Sequence, residues 1–167
     1  MSFLDILKNK IFIKNNLYSL MLVLLIFFLD RFVKIKIINH HLDGSNLFVN
    51  DYLNYILVWN TGIGFGLFSF EADIYYKLTT TFIGIINLLN IYLIFNLKDI
   101  RKYFLLMILG GSLGNFFDRL YYLAVPDFID FHIGEFHWFI FNIADVFISI
   151  GVLCLIFVEI FMKNINK

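Results

Sequence analysis

Residues 125–148 read VPDFIDFHIGEFHWFIFNIADVFI, an apolar and aromatic stretch interrupted by three aspartates, Asp127, Asp130 and Asp145. Apart from them the stretch has the character of membrane-contacting sequence, and carboxylates there are costly unless they are paired or used. How the chain accommodates them decides its architecture.

The rest of the chain is of one kind with this stretch. Of 167 residues, 60% are hydrophobic, 20% aromatic and only 16% charged, with a mean hydropathy of +0.82. These values lie far from those of soluble domains and indicate a membrane protein. The formal net charge is zero, so the overall balance points to no nucleic-acid partner and local charge placement carries the information. The single cysteine, Cys154, lies in an apolar run; it cannot form an intramolecular disulfide and reads as a small packing residue. The first apolar run, Leu17 to Leu29, follows a long charged segment and is succeeded by Asp30-Arg31 rather than by a small-residue cleavage site, so it is expected to remain in the mature protein.

A helix that crosses about 30 Å of hydrocarbon needs about 20 mostly apolar residues. Four segments meet that length, approximately 17–38, 75–95, 103–122 and 138–162. The expected fold is an all-α membrane protein of four transmembrane helices, one domain over residues 1–167, with a small β-sheet on the outer side between the first and second spans. The connection NLKDIRK (96–102), the N-terminal segment with Lys8, Lys10 and Lys14, and the tail KNINK are basic. The positive-inside rule places all three in the cytoplasm, which leaves residues 40–73 and 123–137 outside. Arg31, Lys34 and Lys36 at the outer end of the first span run against the rule and are tolerable if they snorkel or pair.

Within the first outer connection, LFVNDYLNYILVWNTGIGFGLFSF is rich in β-branched and aromatic residues, with Asn50-Asp51 as a turn signal and glycines at 62, 64 and 66. It predicts a small sheet over residues 40–73 lying on the membrane surface. Glycines two apart on a strand would leave bare backbone on one face, open to a peptide or lipid; a glycine-softened loop explains them equally well.

In the third span, LGGSLGNFFDRL sets Gly110 and Gly114 in a small-xxx-small pair, which close helix packing explains. Gly111, Asn115 and Asp118 fall at helical spacing on a neighbouring face. Asp118 and Arg119 read as structural, through a pair with each other or a link to another helix. The fourth span opens FNIADVFIS and aligns Asn142, Asp145 and Ser149 on one face, with Asp145 expected about two turns inside the membrane boundary. Asp30 and Lys34 in the first span suit an i,i+4 ion pair. All these acids gather at one level, and intramembrane ionisable groups facing a bundle interior suggest a functional site.

Two carboxylates in a low-dielectric site do not both ionise easily, which makes one a general acid and the other a general base. Such a pair can activate water and protonate an amide leaving group without a metal or a covalent intermediate. There is no Cys/His dyad, HExxH, GxSxG or P-loop. His40, His41, His132 and His137 are scattered through the outer connections, and neither pair has a third ligand at a usual zinc spacing. No metal or cofactor is expected.

Four motifs in order, LDRFVK (29–34), NTGIGFG (60–66), GGSLGNFFDR (110–119) and the stretch containing VPDF and FNIAD, resemble those of the lipoprotein signal peptidases (signal peptidase II), which are bacterial membrane aspartic peptidases. The resemblance covers essentially the whole chain. It implies an endopeptidase that cleaves prolipoproteins on the N-terminal side of a diacylglyceryl-modified cysteine, a monomer in contact with membrane lipid in the cytoplasmic (inner) membrane, with both termini cytoplasmic and the active site near the outer surface. The family's catalytic aspartates fall on Asp127 and Asp145, and its supporting acid on Asp118. Gly111, Asn115, Arg119, Asn142 and Ala144 match positions around its site, Asp30 and Lys34 its first-helix pair, and Asn60, Gly62 and Phe65 a surface β-cradle bordering the substrate groove.

Two residues depart from the family pattern. Pro126 replaces an apolar residue before Asp127, removing a backbone donor and fixing φ, and Ile140 replaces a proline before Phe141-Asn142, which predicts a more regular start to the fourth helix. Asp130 is expected to be solvated or a local cap. Outside the resemblance two readings stay open. A small proton-coupled transporter predicts acids spread through the membrane depth, whereas the inner half offers only Glu159. A non-enzymatic assembly subunit treats the glycines and polar face as packing alone.

Overall fold

The computed structural model describes residues 14–41, 47–62 and 72–161. Among these, four helices account for most of the chain: α1 (Lys14–His41), α2 (Ala72–Asn96), α3 (Arg101–Tyr121) and α4 (Ile143–Phe161). Between them run β1 (Leu47–Asn50), β2 (Leu53–Asn60), β3 (Val125–Ile133) and β4 (Phe136–His137), which form one antiparallel sheet in the order β1-β2-β3-β4.

The sheet corrects the expectation that it lies between the first two spans. Half of it comes from the connection between α3 and α4, because β3 pairs with β2 from Asn60↔Val125 to Leu53↔Phe131, with a bulge between Tyr55 and Val58. The β1–β2 hairpin turns at Asp51-Tyr52, where the Tyr52 N–H donates to Asn50 Oδ1 at 2.9 Å, as the Asn-Asp turn signal predicts. Gly62 lies beyond the end of β2 with φ +76°, so it serves a left-handed bend and is not part of a bare strand face. Gly64, Gly66 and Phe65 lie outside the described residues.

α3 is the central helix, packed against α1, α2 and α4. Val23, Ile94, Leu105, Leu106 and Leu109 form its buried contact layer. The glycines let the backbones approach: a Cβ on Gly110 would stand 2.9 Å from Ile26 Cβ of α1, and one on Gly111 2.5 Å from the Ala144 carbonyl oxygen of α4. Gly114 fits beneath both helices, with Asp30 Oδ2 at 2.7 Å and Ala144 Cβ at 3.7 Å from such an atom. Small residues at these crossings do what small-xxx-small patterns do in membranes.

The helices alternate in direction. Lys102 at the start of α3 reaches Asn16 near the start of α1 (3.3 Å), and Arg101 reaches Glu159 near the end of α4 (3.5 Å). One end of the bundle therefore gathers the start of α1, the α2–α3 connection and the end of α4. Large apolar side chains such as Leu25, Phe28, Leu88, Tyr92, Leu153 and Phe157 point outward and are exposed, the pattern of a bundle solvated by lipid. Two helices, Ile74–Asn96 and Ile143–Phe161, are long and apolar enough by composition to cross a membrane. α1 and α3 carry more charge, chiefly Asp30, Arg31, Lys34 and Lys36 in one and Arg101, Lys102, Asp118 and Arg119 in the other.

α4 begins later than its apolar sequence suggests. Residues 138–142 are not helical; instead Phe141 bridges to Ile129, with the Ile129 N–H donating to the Phe141 carbonyl at 2.7 Å and the Phe141 N–H returning to the Ile129 carbonyl at 3.1 Å. Ile140 thus does not regularise the start of the helix, and Asp145 lies in the first turn of α4.

Candidate active site

The start of α4 is shaped by an Asn-x-x-Asp cap. The Asp145 N–H donates to Asn142 Oδ1 (3.0 Å) and the Asn142 N–H donates back to Asp145 Oδ2 (3.1 Å). This is the reciprocal arrangement of a capping box, with aspartate in the acidic position. It satisfies two otherwise orphaned helix donors and fixes the Asp145 carboxylate at the positive end of the helix.

Asn142 has a second role. Its side-chain amide is fully buried and donates to Asp127 Oδ1 at 2.6 Å. One residue therefore holds both aspartates, Asp145 through its backbone and Asp127 through its side chain. The other oxygens are held as well: Asn60 Nδ2 donates to Asp127 Oδ2 (2.8 Å) and Asn115 Nδ2 to Asp145 Oδ1 (2.8 Å). Asn60 is itself anchored, since its Oδ1 accepts the Gly62 N–H at 2.7 Å. Sheet, α3 and α4 thus each supply an amide donor. Among the described residues no cation forms an ion pair with either acid.

Asp127 is 3% exposed. Burial pushes its carboxyl above the usual carboxylate range and the neighbouring Asp145 charge adds to the push, while hydrogen bonds from Asn60 and Asn142 and the more distant Lys34 oppose it. Asp145 is half-buried. Pro126 lies within the β2–β3 ladder, one residue before Asp127. It pairs with Trp59 near the first residues of β3, where only β2 lies alongside, and proline is accommodated at such a sheet margin.

Below the aspartates lies a second polar cluster of different chemistry. Lys34, with no exposed surface, donates to Asp30 Oδ2 (2.7 Å), Asp118 Oδ2 (2.7 Å) and Asn115 Oδ1 (2.9 Å). Arg31 donates to Asp118 Oδ1 and lies over the Phe117 ring. Asp30 Oδ1 accepts the Ala144 N–H (3.0 Å), which satisfies another donor in the first turn of α4. Asp118 thus links α3 to α1. It does not pair with Arg119, whose Nη1 turns to the Asn115 carbonyl (3.2 Å). Asn115 connects the two clusters, accepting a hydrogen bond from Lys34 with its oxygen and donating one to Asp145 with its nitrogen.

Asp127, Asp145, Asn60, Asn115 and Asn142 therefore meet in one place, with Asp30, Lys34 and Asp118 beneath them and Ala144 and Gly111 forming the α3–α4 contact. The profile of the signal peptidase (SPase) II family matches residues 22–161. The chain belongs to the signal peptidase II family. A lipoprotein signal peptidase of Pelagibacter ubique (strain HTCC1062) is 45% identical over 158 residues, which are 93% of this chain and 95% of that protein. Another, from Anaplasma marginale (strain Florida), is 33% identical over 150 residues, 88% and 86% of the two chains. A bacterial membrane enzyme solved by the in meso method at 1.9 Å resolution superposes with a TM-score of 0.67 at 29% identity, over 86% of this chain and 92% of that one. Membership makes the chain a membrane peptidase, and the transporter reading finds no support among these relatives.

One expectation fails at this surface. Asp130 is neither solvated nor a cap: it has no exposed surface, and both its oxygens lie 3.0 Å from His137 Nδ1. The sequence signal was available, since Asp130 and His132 are two apart and share a face if residues 125–133 are read as a strand.

Proposed function

We propose that this signal peptidase II family member cleaves the signal peptide from prolipoproteins on the N-terminal side of a diacylglyceryl-modified cysteine, with Asp127 and Asp145 as the catalytic acids. The observation that carries the reading is Asn142, which binds both carboxylates and fixes them as a pair. Among the described residues amides, and no ion-paired cation, hold the two carboxylates, so the pair can hold a single proton.

In this reading Asp127, the more deeply buried acid, is the proton donor, in keeping with the upward push of burial on its carboxyl. The Asp145 carboxylate accepts a proton from water as the water oxygen attacks the scissile carbonyl carbon. Asp127 donates its hydrogen to the carbonyl oxygen as negative charge develops there. Collapse of the tetrahedral intermediate breaks the C–N bond, and the proton held by Asp145 passes to the leaving nitrogen, the new amino terminus of the lipidated cysteine. As the hydroxyl reforms the carbonyl, its proton returns to Asp127, and the signal peptide departs with a new carboxyl group.

A single integral domain with four spans, both termini cytoplasmic and the sheet at the outer surface suits this chemistry. α1 and α3 become compatible with hydrocarbon because Asp30, Lys34, Asp118 and Arg31 neutralise one another inside the bundle. The basic α2–α3 connection lies at the opposite end from the aspartates and favours the cytoplasmic side. Acyl chains on the substrate cysteine would hold it at the interface beside the sheet, presenting the scissile bond at the level of the acids, with Asn60 and Gly62 bordering the groove. The reading is that of a monomer.

Purified full-length protein in detergent is expected to cleave a diacylglyceryl-modified prolipoprotein and to leave the unmodified precursor intact. Equal cleavage of both would remove the lipid from the specificity, and cleavage of neither by folded protein would overturn the proposal.

A further inference from the structure

The buried aspartate that the dyad does not use has its own partners. β3 and β4 form a hairpin across Gly134-Glu135, with His132 paired opposite His137. Their rings stack at a centroid distance of 4.9 Å and an interplanar angle of 22°. Asp130, two residues before His132 on the same strand face, points at both. Its carboxylate oxygens lie 3.0 Å from His137 Nδ1, and Oδ2 lies 3.6 Å from His132 Nδ1. Strand alternation directs Asp127 to the opposite face, so this group is separate from the dyad.

Three features mark it as more than a hydrogen-bonded surface pair. Asp130 has no exposed surface, and among the described residues these two imidazoles are the polar partners of its side chain; a buried carboxylate calls for compensating charge. His132 is 9% exposed, and among the described residues its buried Nδ1 has no hydrogen-bond partner, although it faces Asp130. One ligand atom from each of the three residues lies within 4.8 Å of the other two. Metal–nitrogen and metal–oxygen bonds of about 2.0–2.2 Å imply a tetrahedral edge of about 3.4 Å, and the two aspartate–histidine separations bracket that value.

We infer that Asp130, His132 and His137 form a binding site for one divalent transition-metal ion of the zinc class. Two imidazoles and a carboxylate suit zinc, whereas calcium and magnesium favour all-oxygen shells. Three protein ligands leave a fourth position, which opens to solvent beside His137, whose side chain is half exposed. That exposure also lets the His137 ring swing to close the third edge. A bound ion clips β4 to β3 and so braces the strand that carries Asp127 on its other face. The inference does not depend on the peptidase reading.

Chelator-stripped full-length protein, purified without a histidine tag, is titrated with Co²⁺ alone and followed by visible absorption, then with Zn²⁺ as competitor. The expected result is one ion per chain, displaced by Zn²⁺, with binding weakened about tenfold or more in His132→Gln and in His137→Gln. The doubles His40→Gln/His41→Gln and Asp127→Asn/Asp145→Asn should bind as the unaltered chain does, which separates this site from the end of α1 and from the dyad. If His132→Gln does not fold, the partly exposed His137→Gln carries the comparison, with circular dichroism confirming its fold. Absence of saturable binding at one ion per chain, or undiminished affinity in folded His137→Gln, overturns the inference.

Discussion

Two clusters of carboxylates lie within one bundle end, joined by Asn115, and they differ in what surrounds them. Asp30 and Asp118 are met by Lys34 and Arg31, and each has no exposed surface. Asp127 and Asp145 are met by the amides of Asn60, Asn115 and Asn142. A cation paired with a buried acid makes that acid a tether between helices; an amide orients the acid without neutralising its charge. Residue type alone does not distinguish the two pairs, whereas the partners do. The first cluster neutralises charge between α1 and α3 and aligns α4 through Ala144, and the second is the one the proposed chemistry would use.

Substitutions that keep shape and remove charge should separate the clusters. The largest effect is on turnover: Asp127→Asn or Asp145→Asn removes half of an acid–base pair and should lower cleavage by about 10²–10⁴-fold. Asp127→Asn is not expected to bring a matching loss of stability. The folded pKa of Asp127 lies above its unfolded value, so the stability linked to its protonation is complete below the unfolded value and is lost as pH rises through the folded one. Asparagine removes that dependence.

Asp118→Asn should act the other way round. It leaves Arg31 and Lys34 buried with one acid between them, and breaking a buried ion pair costs about 3–5 kcal/mol. Thermal unfolding in detergent should show a large fall in midpoint, with whatever folded protein remains still able to cut.

Asn142→Ala tests the residue that holds both aspartates. Loss of the cap should cost about 1 kcal/mol, and loss of alignment about 10²-fold in cleavage, so activity should fall much further than stability. The smallest effect is expected from Asn60→Ala. The Asn60 hydrogen bond favours ionised Asp127; removing it raises that pKa further and should shift the alkaline limb of the pH–rate profile upward while cleavage persists. An unmoved limb would show that Asn60 does not orient the titrating acid.

Much of this was legible in the chain itself. The apolar runs located the helices, LDRFVK held the Asp30–Lys34 pair at i,i+4, and Asn50-Asp51 marked a turn that the hairpin makes. β3 was not legible as a strand because VPDFIDFHI continues the apolar character around it and its partner, β2, lies about seventy residues earlier, beyond the reach of local periodicity. The start of α4 was misplaced for a related reason: WFIFN carries no change in hydropathy, and only the Asn142-x-x-Asp145 pattern signals the cap. With β3 unread, Asp130 and His132 could not be placed on one face, and His137 lacked its third partner.

The most direct test is the rate of cleavage of a diacylglyceryl-modified prolipoprotein per folded molecule, compared between Asp127→Asn and Asp118→Asn. The account expects Asp127→Asn to be folded and inactive, and the folded fraction of Asp118→Asn to cut at a rate near that of the unaltered chain. Cleavage by folded Asp127→Asn, alongside inactivity of folded Asp118→Asn, would contradict it and move the chemistry to the cation-bound cluster.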